Sequence, residues 1–156
     1  MITVLDGREY FYWMPLHFVY DGETVYIRLE ELFVNPETVD IHIYDDNFIK
    51  DAHKIESTKD SKRYDLIFND VVFFQVYEEL RHIESVDEEF DEGIIRKYTK
   101  STLMNFVENN TTFKTEVEDL FKNMIHYCVR TSTDWFDIIA LSDPIIELVD
   151  QKQNGK

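Results

Sequence analysis

Apolar and polar positions alternate with a period of two over much of the first half of the chain. Val25, Ile27 and Leu29 fall on one side of a strand, and Tyr26, Arg28 and Glu30 on the other. That pattern predicts one buried face and one wet face. Residues 39–46 (VDIHIYDD) alternate in the same way, with Val39, Ile41 and Ile43 expected inward and Asp40, His42 and Tyr44 outward. Residues 10–20 (YFYWMPLHFVY) are aromatic and β-branched and read as a strand with two rings on each face. Asp21-Gly22 follows as a hairpin signal. Asn35-Pro36 predicts a break in the strand pattern. Residues 47–62 predict an irregular strand and a turn at Lys59-Asp60-Ser61. Asn69-Asp70 predicts a turn between YDLIF and VVFFQVY. The apolar run at residues 71–76 predicts a strand covered on both faces.

The second half changes character. IIRKY, residues 94–98, reads as a strand. TKSTLMNFVENNT reads as a short helix capped by Ser101 or Thr102, which accept a backbone N–H that would otherwise go unmet. Leu103, Phe106 and Val107 give its apolar stripe, and Asn109-Asn110 its end. Residues 117–121 read as a further helical turn or a loop. Residues 124–131 (MIHYCVRT) and 135–142 (WFDIIALS) read as strands joined by a Ser132-Thr133-Asp134 hairpin loop. After Pro144 an edge strand is expected at residues 145–149, and the polar tail 151–156 is expected to be disordered. There is no internal repeat. Many strands against one clear helix predict a β-rich α+β fold: a mostly antiparallel twisted sheet, or a two-sheet sandwich, with one short covering helix. Residues 1–150 are expected to form a single domain.

Composition narrows the function. The 156 residues carry 32 acids and 16 Lys plus Arg, a formal net charge of −16. Nucleic acid and anionic membranes repel such a surface, whereas a basic protein is drawn to it. No basic leader and no apolar run of membrane-spanning length is present, so a cytoplasmic location is expected. The single cysteine, Cys128, lies in an apolar stretch and reads as a buried thiol, with no partner for a disulfide. With only four glycines the chain has no glycine-rich phosphate loop. No nucleophile elbow and no HExxH motif occurs. Asp40, His42 and Asp45 form a carboxylate–imidazole set on one strand, which reads as a metal site or, more simply, as an outward polar face. No cofactor, metal or enzyme activity is expected.

Residues 78–92 (EELRHIESVDEEFDE) hold eight carboxylates and one arginine. Most such runs are solvated surface. Leu80, Ile83, Val86 and Phe90, however, recur at helical spacing, which predicts an amphipathic segment over residues 79–90 with its acids outward. Glu84, Asp87, Glu88, Glu89, Asp91 and Glu92 then form an electrostatic docking face, with Phe90 as its anchor. Trp135, next to a hairpin tip, is a further contact candidate. A structural module pairing through the edge strand at residues 145–149 is the alternative.

In size, acidity and β-rich layout, and in RYDLIFNDVVFFQVYEE and HYCVRTSTDWFDIIALSDPIIE, the chain resembles the small cytoplasmic immunity proteins of bacterial polymorphic toxin systems. The resemblance implies a protein that neutralises a toxin, often a basic nuclease, by covering its active site or an adjoining surface. It shares no site motif, so no residue role carries over.

Overall fold

The computed structural model describes residues 1–44, 47–79, 86–112 and 118–149. In chain order the strands are β1 (Trp13–Tyr20), β2 (Val25–Glu31), β3 (Phe33–Tyr44), β4 (Asn47–Glu56), β5 (Arg63–Phe68), β6 (Val71–Glu78), β7 (Glu89–Asp91) and β8 (Ile95–Lys100). Helix α1 (Thr102–Asn110) and a single turn, α2 (Glu118–Phe121), come next. Strands β9 (Ile125–Arg130), β10 (Asp134–Ala140) and β11 (Ile145–Leu148) complete the fold. The result is a β-rich α+β architecture of open, antiparallel sheets. No helix among the described residues is long and apolar enough to cross a membrane.

Three sheets form. One has the order β1-β2-β5-β11, one the order β6-β10-β9-β8-β7, and β3 pairs with β4 alone. The first two face each other across the main core. Val25, Ile27 and Leu29 of β2 with Leu66 and Phe68 of β5 meet Ile95 of β8, Tyr127 and Val129 of β9, and Phe136 and Ile138 of β10. The inward side of the β2 alternation is therefore as expected. Its other side is drier than expected, because Glu30 is buried against Arg63 at 2.7 Å. Beside it Arg28 grips both oxygens of Asp65, at 2.7 and 2.8 Å. Both pairs sit directly opposite one another in the β2–β5 register, where opposite charges stabilise a sheet.

The hairpin at Asp21-Gly22 is present, with Gly22 at φ +104° and the Asp21 carboxylate accepting from Thr24 N at 2.9 Å. Asn69-Asp70 is a turn but not a hairpin: it carries the chain from β5 in one sheet to β6 in the other. Strand β6 is an edge strand and is covered on both sides only in its first half. There Val71 and Phe74 meet the main core, while Val72 and Phe73 face α1; Gln75 and Val76 are exposed. Residues 10–12 are a 3-10 turn rather than the start of β1, so their rings do not alternate across a strand.

Ser101 caps α1 by accepting from Met104 N at 2.9 Å. The helix lies on the outer face of the five-stranded sheet, with Leu103, Met104 and Val107 packed toward Met124 and Ile139. Phe106 is exposed, so the buried stripe runs through Met104 in its place.

The largest departure from the sequence pattern is β3–β4. Asn35-Pro36 does not end β3 but lies in a bulge within it, between the Val34 and Thr38 pairings. Ile41 and Ile43 are exposed rather than inward, because no second layer covers this ribbon.

Candidate functional site

Among the described residues, polar chemistry gathers in the acidic segment around β7, in the open cleft beside it and in a buried polar row under α1.

The acidic segment is not a helix where it is described. Residues 86–88 lead into β7, which stands at one end of the five-stranded order and pairs with β8. The reason lies across the sheet: Phe90 stands opposite Tyr98 of β8, and alternate positions of β7 divide between the sheet and solvent, which breaks the three-to-four spacing. Phe90 turns onto its own molecule, 5.1 Å from the Tyr98 ring and under the Arg96 guanidinium at 4.1 Å. Asp87, Glu89, Asp91 and Glu92 are exposed. Glu88 is half-buried and accepts from Thr102 N at 3.1 Å, so it braces the start of α1. Asp91 lies 3.6 Å from the terminal amine and Glu92 lies 3.9 Å from Arg130. Val86, at full exposure, is not an anchor to the core. Leu80, Ile83 and Glu84 lie outside the described residues.

Trp135 is 6 % exposed and cannot meet a partner. Its ring is packed edge-on against Tyr10 at 5.8 Å, with the guanidinium groups of Arg96 and Arg130 at 5.4 and 5.8 Å. The hairpin tip does not expose it, because the N-terminal segment folds over this end of β10.

The cleft, of about 670 Å³, opens between that N-terminal segment and the β7–β8 turn. Arg8, Tyr10, Tyr12, Glu92, Gly93 and Arg130 line it. Gly93 has φ +153°, and a Cβ there would meet Asp6 Oδ1 and Met1 O at 2.9 Å, so only glycine fits this turn. Both arginines are already engaged. Arg8 pairs with Glu31 at 2.5 Å and lies 4.3 Å over the Phe33 ring. Arg130 donates to the Gly93 carbonyl. Phe33 begins β3, so the root of the β3–β4 ribbon and the acidic β7–β8 turn flank the same cleft.

The buried row was not legible as a site. Ser101 Oγ lies 2.8 Å from His126 Nδ1, and His126 Nε2 lies 3.2 Å from Asp137 Oδ1. The second contact is close enough for an ion pair but not aligned as a hydrogen bond. Gln75 donates to the other Asp137 oxygen at 2.8 Å, and the Tyr98 ring stacks on His126 at 4.0 Å. Burial pushes the Asp137 carboxyl up, but His126 and Gln75 more than offset it and hold the group below the usual carboxylate range. Burial, and then the Asp137 charge, push the neighbouring Cys128 thiol well up, so it is a poor nucleophile. A serine, a histidine and an aspartate in line invite comparison with a hydrolase triad. All three are buried, however, and Ser101 Oγ is already held by the Met104 N–H. Their evident work is to tie α1 to β9 and β10. The sequence signal for them was an aspartate inside the otherwise apolar run of β10.

The carboxylate–imidazole set on β3 is not assembled as a site. Asp40 accepts from Asp51 N at 3.1 Å and the His42 ring packs against Phe48 at 4.9 Å; Asp45 lies outside the described residues. Among the described residues, no group of three or more His, Cys, Asp or Glu side chains is placed to hold a metal ion. No protein family, curated protein or solved structure matches the chain.

Proposed function

We propose that this is a non-enzymatic binding protein whose partner is a basic protein, neutralised by occlusion in the manner that the likeness to immunity proteins implies. The observation that carries this reading is the exposed carboxylate group Asp87, Glu89, Asp91 and Glu92 at the edge of the five-stranded sheet, on a chain of net charge −16. Strand β7 and the Gly93 turn hold these carboxylates on a framed backbone, so they meet a partner as a fixed surface. Complementary fields of this kind accelerate encounter and select against acidic partners. Ser101, His126 and Asp137 lie elsewhere, buried beside α1.

The test takes the purified product of the adjoining gene and measures its association with the wild type and with Asp87→Lys/Glu89→Lys/Glu92→Lys. The expected result is a nanomolar to micromolar complex whose association slows at least tenfold in the variant and loses much of its salt dependence. A neighbour that is acidic or does not bind counts against the reading. Unchanged association removes this face from it.

A further inference from the structure

The β3–β4 ribbon is the feature that the fold itself leaves unexplained. None of its residues, Phe33–Tyr44 or Asn47–Glu56, joins any of the three buried clusters. Of β4, Ala52 alone is not exposed. Yet the ribbon is rich in large apolar side chains: Ile41 is 42 % exposed, Phe48 51 %, Ile49 49 % and Tyr44 69 %. These side chains lie on both sides. Ile41 stands opposite Ile49 in the register and His42 opposite Phe48, and successive positions of a strand face opposite ways. A ribbon packed on a flat surface would hide one row and leave the other polar. One that carries apolar side chains on both sides is suited to a slot that closes on it from two directions.

The charge on the ribbon says what kind of slot. Residues 33–56 hold six carboxylates, at 37, 40, 45, 46, 51 and 56, against Lys50 and Lys54, a net charge of −4. A second copy of this chain brings another −16 to the contact and is electrostatically disfavoured. A cleft lined with basic side chains has the opposite field and draws the ribbon in.

We propose that β3–β4 is the docking element, and that this apolar ribbon of net negative charge inserts into the basic cleft of a partner protein. This deepens the binding reading above, on which it rests. The root of the ribbon at Phe33 adjoins the cleft that Glu92 also lines, so the β7 acids stand where they can meet the rim of the same partner.

The experiment places the photo-crosslinker p-benzoylphenylalanine at Phe48, at Ile43 or at Glu89 of the full chain, in its native cells, and sequences the crosslinked peptides. The expected result from positions 48 and 43 is a crosslink to cleft residues of one basic protein. In the purified pair, Phe48→Ser/Ile49→Ser then weakens affinity at least tenfold with the melting temperature unchanged. A basic partner reached from position 89 alone overturns the docking element and leaves the binding reading standing. Crosslinks from 48 and 43 to a second copy, or to an acidic protein, overturn the insertion. Silence from all three positions overturns both proposals.

Discussion

His126 and Asp137 show how much one buried pair can decide. Each occupies a position where an apolar side chain would pack, and each is held there by its charge contact with the other and by hydrogen bonds to Ser101 and Gln75. Replacing one member of such a pair leaves the rest desolvated without compensation, at about 3–5 kcal/mol. His126→Phe keeps the stack on Tyr98 and removes the polar partner, so it should destabilise by that amount in urea unfolding. Asp137 also gives stability a pH dependence of fixed sign. Its carboxyl is held low in the folded protein. Its contribution is therefore complete above the unfolded value near pH 4 and is lost as pH falls through the lower folded value. Asp65 and Asp143 are lowered as well: against burial for Asp65, whose partner is Arg28, and chiefly by Lys97 and Tyr127 for Asp143. Unfolding midpoints measured from pH 6 to pH 3 should fall, and Asp137→Asn should show a shallower fall from a lower starting point.

Elements differ in what the core asks of them. Ile27 is fully buried between the two large sheets, and Ile27→Ala should cost about 2–5 kcal/mol. Ile41→Ser and Phe48→Ser lie on the ribbon and should each change stability by less than about 0.5 kcal/mol, as exposed substitutions do. Thermal melts of the three variants test that contrast directly. The sequence pattern showed the two kinds of strand alike, because alternation reports strand geometry and not whether a second layer covers the apolar side. Val25, Ile27 and Leu29 have such a layer; Ile41 and Ile43 have none. Strands, the Asp21-Gly22 hairpin and the Ser101 cap were legible because each depends on local chemistry. The amphipathic helix expected across residues 79–90 was misread in its described part because Phe90 answers to β8 across the sheet, a contact that lies outside any local window. Trp135 was misjudged for a related reason: the residues that cover it, Tyr10 among them, come from the far end of the chain.

The molecule as a whole carries twice as many acids as bases, so its ion pairs leave the net charge of −16 untouched. Self-repulsion therefore opposes the compact state at neutral pH. Raising ionic strength from about 0.01 M to 0.15 M shortens the screening length from about 30 to 8 Å. The melting temperature should rise over that range, as followed by circular dichroism at pH 7. A fall would mean that the Arg28–Asp65 and Arg63–Glu30 pairs outweigh the repulsion. The sheets that must withstand it hold Cys128 in β9, flanked by β8 on one side and β10 on the other. Being the chain's one thiol and wholly covered, it can react with a reagent only after strands part. Its rate of alkylation is thus a clock for the opening of the five-stranded sheet, readable by mass spectrometry in a mixture without any engineered label.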